Sequence, residues 1–159
     1  MKRHDLYFAL VMLAIFLPFF LIPEAYAWYK TFNAEHSVIM AFLKFGILAT
    51  LGEMLGCRIS TGNYTTPTFG ALPRMVVWGL LGMAISMAMT VFSNGIPAFI
   101  GSMGGESLVE AFKADGFAWG KLVVALSISV MMNTFFAPVF MTFHKITDTH
   151  IAENGGSIK

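Results

Sequence analysis

The run Val38-Ile39-Met40-Ala41-Phe42-Leu43-Lys44-Phe45-Gly46-Ile47-Leu48-Ala49-Thr50-Leu51-Gly52-Glu53-Met54-Leu55-Gly56-Cys57 contains only two charged side chains, Lys44 and Glu53. A helix of that length, at about 1.5 Å of rise per residue, crosses the roughly 30 Å hydrocarbon layer of a bilayer. Working outward, residues 6–22 before it, and 71–92 and 122–143 after it, have the same apolar character. Hydrophobic residues make up 57% of the 159-residue chain and charged residues 12%, where a soluble domain carries about 25% charge. The solvent of these segments is lipid, in which the backbone must satisfy its own hydrogen bonds. The pattern predicts an all-α polytopic membrane protein: a bundle of four transmembrane helices over residues 1–145. A polar tail over residues 146–159 reads as the start of a truncated continuation.

Composition removes several classes of function. A formal net charge of +1 supplies no basic field for nucleic acid. Cys57 is the sole cysteine, so an intrachain disulfide, a dithiol relay and a thiolate metal cluster are excluded. His4, His36, His144 and His150 share no helix-face spacing, and no metal site is expected from them. No Ser-His-Asp set, paired carboxylates or phosphate-binding loop is visible, so neither an enzymatic activity nor a cofactor is expected.

Basic residues set the expected orientation. Lys2 and Arg3 precede the first span, Arg58 and Arg74 flank the loop between the second and third, and Lys145 and Lys159 follow the fourth. Both termini are therefore expected on the cytoplasmic side, with a bacterial inner membrane favoured over an organellar one. Lys2-Arg3, the apolar run and Ala25-Tyr26-Ala27 also read as a cleaved signal peptide. A retained span is preferred, because the apolar run is longer than a signal core and Trp28 and Tyr29 form an interfacial belt beyond it. Residues 58–70 read as a tight polar turn. In the longer outer loop, residues 93–97 (Ser-Asn-Gly-Ile-Pro) are expected to break the third helix, and Glu106–Lys113 reads either as a short surface helix, with Leu108, Val109 and Phe112 on one side, or as an ordinary connecting loop.

The helix faces supply the candidate functional residues. Gly46, Ala49, Thr50, Glu53 and Cys57 share one face of the second span, and small residues there allow close helix approach. An intramembrane carboxylate on that face is a functional candidate by default. Arg74 enters the third span from the same side at similar depth and is the expected partner of Glu53. Lys44 lies about half a turn out of phase with Glu53; it either snorkels to the interface or lines an aqueous path. The third span carries Gly79, Gly82, Ser86 and Thr90. In the fourth, Lys121, Ala125, Ser129, Asn133 and Ala137 recur at four-residue steps. Asn133 is expected to hydrogen-bond a neighbouring helix or contact a solute. Pro138 frees the carbonyl of Thr134 and is a candidate kink.

The order of these motifs resembles the Mpv-seventeen/peroxisomal-membrane-protein-twenty-two family of small integral membrane proteins. Gly52-Glu53 stands where the family has a Gly-Asp pair, and Arg74 with Gly79 resembles its arginine-led helix. Met132-Asn133-Thr134-Phe135-Phe136-Ala137-Pro138 is similar to its Asp-Gln pair followed by Phe-Ala-Pro, with Met132 at the acidic position. The likeness covers residues 41–143, and the family's Trp-rich C-terminal signature does not occur in this chain. The resemblance implies an organellar-type membrane protein that forms pores or influences small-solute permeability. Two functions are expected: a channel-like or small-solute permeation protein, with a homo-oligomer among its expected forms, and a non-transporting membrane scaffold whose polar residues only pack helices. Lys44, Glu53, Arg74, Ser129, Asn133 and Pro138 are the candidate pore or packing residues, with lipid and an unidentified small solute or ion as partners.

Overall fold

The computed structural model describes residues 3–158. Its helices are α1 (Arg3–Leu21), α2 (Pro23–Glu35), α3 (Ser37–Thr61), α4 (Ala71–Ser102), α5 (Glu106–Lys113), α6 (Trp119–Met131) and α7 (Ala137–Glu153), with a π-helical stretch over Met132–Phe136 joining the last two. Four rods are long and apolar enough to cross a membrane: α1, α3, α4 and the continuous helix Trp119–Glu153. The protein is an all-α, multi-pass bundle. The end of the bundle that carries Arg58 and Arg74 is termed basal below.

The central element is α4, which packs along α3 on one side and against α5, α6, the π stretch and α7 on the other. Its closeness to α3 follows from three glycines. A Cβ added to Gly82 would lie 2.5 Å from Phe45 Cβ and 2.8 Å from the Ala41 carbonyl oxygen. One added to Gly46 would lie 2.8 Å from the Met75 carbonyl oxygen, and one on Gly79 would meet the Phe42 ring at 2.5 Å. Apolar association gains little between helices already in lipid, so such close van der Waals packing is what holds them together. Thr50 is buried in the same seam, and its hydroxyl has no hydrogen-bond partner.

By contrast, α1 buries no residue, and among the described helices its backbone approaches only α2. Its basal end is tied by side chains: Asp5 accepts from Arg58 Nε at 2.7 Å and Nη2 at 3.1 Å, and Phe8 stacks on Tyr64 at 4.7 Å. The α1–α2 junction is set by Pro23. It takes the first turn of α2, while Ile22 before it is extended (φ −119°, ψ 100°), the conformation a following proline favours.

Three sequence expectations change. The segment 23–35, read as a connecting stretch with an aromatic belt, is helical, and it turns Ala25, Tyr29, Phe32 and Asn33 away from solvent. Residues 93–97 do not end the third span: α4 runs on to Ser102 with Pro97 buried inside it. A broken helix in apolar surroundings would strand several backbone groups, whereas a proline strands one carbonyl. Asn94 also donates to the Thr90 carbonyl at 2.8 Å, adding a side-chain bond to this turn. Finally, residues 146–153, the first part of the stretch read as a polar tail, are the last turns of α7. Ile151 is 2% exposed, and Gly156 packs against Gly70 so closely that a Cβ on Gly70 would meet the Gly156 carbonyl at 2.5 Å. Gly70 (φ 60°) and Gly156 (φ 83°) are also both left-handed, which suits glycine at each position.

Candidate functional site

Three helices converge basally, each presenting polar groups along one face. Glu53 of α3 lies one turn beyond Thr50 on the face that carries Gly46. Arg74 and Trp78 occupy adjacent turns at the start of α4, and His144 and Asp148 occupy adjacent turns of α7. Glu53 Oε2 accepts from Arg74 Nη1 at 2.6 Å, and Oε1 accepts from Trp78 Nε1 at 2.9 Å. His144 Nε2 lies 3.5 Å from Glu53 Oε1. Arg74 Nη1 also pairs with Asp148 Oδ1, and Arg74 Nε donates to the Phe69 carbonyl at 2.5 Å. The guanidinium sits 4.8 Å from the Phe69 ring centre, and the Trp78 and His144 rings are 4.4 Å apart. The side chains of Arg74, His144, Glu53 and Asp148 are 12%, 17%, 20% and 26% exposed.

This cluster has a topological role. Among the described residues no Cα of α3 comes within 8 Å of a Cα of α7. The two helices flank α4 and communicate basally through Glu53, Arg74, Trp78, His144 and Asp148. In electrostatic terms two carboxylates face one guanidinium, an arrangement that can hold and exchange one further positive charge.

A second basal assembly joins α1, α3 and the α3–α4 loop. Tyr64 donates to Asp5 Oδ1 at 3.2 Å beside the Asp5–Arg58 pair, and Arg58 Nη1 donates to the Gly62 carbonyl. A cavity of about 420 Å³ opens here, lined by His4, Arg58, Gly62, Asn63, Tyr64 and Thr65. Withdrawal from water, and then the Asp5 carboxylate, raise the Tyr64 phenol above its ordinary value.

The structure gathers some of the sequence candidates and disperses others. Glu53 and Arg74 meet as the expected pair. Lys44 lies apart from them: Nζ donates to Asn33 Oδ1 of α2 at 2.8 Å and sits 5.8 Å from the Tyr29 ring centre. The four-residue stripe of the fourth span is exposed at Ala125, Ser129 and Asn133, and Pro138 is exposed beside it. Asn133 does not reach a neighbouring helix; it donates to the Ser129 carbonyl of its own helix at 2.9 Å. Val124 and Ile128 are buried in its place, because branched aliphatic side chains fill the space against α4. Trp78, His144 and Asp148 were not among the sequence candidates. The available signal was four-residue spacing, from Arg74 to Trp78 and from His144 to Asp148.

Comparisons of the chain with protein-family models, with curated proteins and with solved structures find no match. Fold and site together define a four-span, all-helical membrane protein whose basal end is bridged by a partly buried ionic cluster.

Proposed function

We propose that this chain is a membrane protein of the channel-like or small-solute permeation type, with the basal cluster as the closed end of its path. The observation that supports this is the bridging of α3 and α7 by ionisable side chains where their backbones stay apart. Charged groups in spanning helices are costly and mark ion or solute pathways. Apolar residues of similar volume would pack such a joint at no loss of stability. The resemblance to the Mpv-seventeen/peroxisomal-membrane-protein-twenty-two family points the same way, since its members are proposed to form pores. In this reading Glu53 and Arg74 hold the end shut, parting them opens a polar seam beside α4, and several copies assemble to enclose a wider path. A bacterial inner membrane with both termini cytoplasmic suits the distribution of basic residues.

The test is planar-bilayer recording of the reconstituted wild type and of Glu53→Gln. Discrete currents whose ion selectivity or gating changes in a well-folded Glu53→Gln variant support the reading. Silence from correctly folded, correctly oriented wild type overturns it. A scaffold is the alternative, favoured by one observation: both oxygens of Glu53 already have donors, as in a purely structural latch. A scaffold predicts that Glu53→Gln weakens the fold and alters no selectivity.

A further inference from the structure

We propose that the space between α1 and α3 binds one phospholipid with an acidic headgroup, its phosphate seated in the basal cavity beside Arg58 and an acyl chain lying between the two helices. The inference does not draw on the permeation reading.

Two stripes run up from the Asp5–Arg58 pair. On α1, Phe8, Met12, Ile15 and Phe19 follow Asp5 at three- and four-residue steps, and they are half-buried while Leu6, Leu10, Leu13 and Leu17 are exposed. On α3, Met54, Leu51 and Ile47 precede Arg58 at the same steps, and Lys44 ends the row. Residues so spaced share a helix face. The two helices are pinned at both ends of these rows. Basally, Arg58 holds Asp5 through two hydrogen bonds, and Phe8 stacks on Tyr64. At the other end α2 is the link: Phe19 meets the Tyr29 ring at 5.3 Å, and Lys44 donates to Asn33 at 2.8 Å. Between the pins the backbones stay apart. Among the described helices no Cα of α1 lies within 8 Å of a Cα of α3. Closely packed helices have axes about 8–10 Å apart and Cα atoms about 2.3 Å off each axis, which would bring facing Cα atoms inside that distance.

The result is a slot with apolar walls and bridged ends. A helix of a second copy is roughly 10–12 Å across with its side chains and would have to run past both bridges. An acyl chain is narrower and ends within the bilayer. From Arg58 up to Ile47 the slot rises about 16 Å, the depth of one leaflet in a hydrocarbon layer of roughly 30 Å.

The cavity of about 420 Å³ lies at the foot of this slot, since Arg58 and Tyr64 line it. Its donors suit an oxyanion. Three of the five guanidinium N–H groups go to Asp5 and Gly62, which leaves two. His4, Asn63 and Thr65 bring imidazole, amide and hydroxyl groups to the same wall. Asp5 matches the charge of Arg58, so Arg3, one position before His4, and the positive end of the α1 dipole tip the local field positive. Such a field attracts an acidic headgroup, and a zwitterionic headgroup, which carries its own cation, gains less from it.

The test titrates the full chain, purified in nonionic detergent, with phosphatidylglycerol, phosphatidylcholine or inorganic phosphate, and counts retained molecules by native mass spectrometry. One phosphatidylglycerol per chain is expected, held in preference to phosphatidylcholine. Arg58→Gln is expected to weaken its binding about fivefold, the worth of one basic side chain at an anionic surface. Because Arg58 also anchors α1, two further variants leave its pair with Asp5 in place. Asn63→Ala/Thr65→Ala removes two polar groups from the cavity and is expected to reduce the preference for phosphatidylglycerol. Ile15→Trp fills the slot and is expected to reduce lipid retention at unchanged helix content by circular dichroism. Equal retention of the two lipids, or phosphatidylglycerol binding untouched by Ile15→Trp in folded protein, overturns the proposal. Saturation by inorganic phosphate without lipid, or a lipid-free dimer, overturns it too, the first as an ion site and the second as a contact between copies.

Discussion

Replacing Gly82 by alanine places a methyl carbon 2.5 Å from Phe45 Cβ and 2.8 Å from the Ala41 carbonyl oxygen. Carbon atoms in contact sit about 3.5–4.0 Å apart, so α3 and α4 must part by about 1 Å at this level. Neither obstacle is the free end of a flexible side chain: one is a Cβ and the other is backbone. The contacts of Phe42 with Gly79 and of Met75 with Gly46 lie in the same seam and loosen with it. A radial gap of 0.5–1 Å forfeits roughly a quarter to a half of a contact's dispersion energy. Overpacking typically costs about 1–3 kcal/mol, and a backbone obstacle keeps Gly82→Ala away from the low end of that range, at about 2 kcal/mol. That is roughly thirtyfold in the folded-to-unfolded ratio. Gly52→Ala is the control, since nothing lies within 4 Å of its Cβ position and its better helix propensity is worth about 0.5–1 kcal/mol. The assay is reversible unfolding in mixed detergent micelles by titration with sodium dodecyl sulfate, followed by circular dichroism. If Gly82→Ala matches the wild type, or the two variants shift together, α3 and α4 are not in backbone contact and the packing argument fails.

Other outcomes follow from the same packing. Arg74→Gln removes the guanidinium shared by Glu53 and Asp148, leaves Glu53 with the Trp78 N–H and should cost about 3 kcal/mol; the Glu53→Gln/Arg74→Gln double variant should cost less than the sum of the singles in the same titration. Thr50→Val removes a buried hydroxyl without a partner and should stabilise by about 1 kcal/mol, seen as a shift to higher detergent fraction. Ile151→Ala should destabilise by about 2–4 kcal/mol, although the residue lies in a stretch that reads as a polar tail. For Tyr64 the folded phenol titrates above its ordinary value. The stability it lends is therefore complete below about pH 10 and lost as pH rises through the folded value, and Tyr64→Phe should remove the latest step of phenolate absorbance.

The four spans were legible because length and scarcity of charge decide them; α5 was legible only as one of two readings, since Leu108, Val109 and Phe112 mark one side of a helix too short to be told from a connecting loop. The inward faces of α3 and α4 were legible from small residues at helical spacing, and with them the Glu53–Arg74 pair, since both groups are inward and at one level. Elsewhere the local pattern misled. Ser-Asn-Gly-Ile-Pro is a turn signal in water, but in lipid an unbroken helix strands fewer backbone groups. The polar residues after Lys145 sit on a helix whose one buried face, at Ile151, shows in a single side chain. His144 and Asp148 lay hidden because their partner is far away in sequence, and only tertiary packing brings α7 to Glu53.

The π-helical stretch at Met132–Phe136 has an angular consequence. Ile128, buried against α4, precedes inward-facing His144 by sixteen positions. At about 100° per residue an uninterrupted α-helix would set these two roughly 160° apart, on nearly opposite sides of the rod. A wide turn that absorbs one residue brings the separation to roughly 60°. The fourth span thus consists of two half-rods with separate azimuths, one aimed by its aliphatic side chains and the other by its ionisable ones. Removing one residue from the wide turn would leave the aliphatic half seated and swing His144 and Asp148 round toward lipid, so the chemistry of the basal end depends on a phase set two turns away.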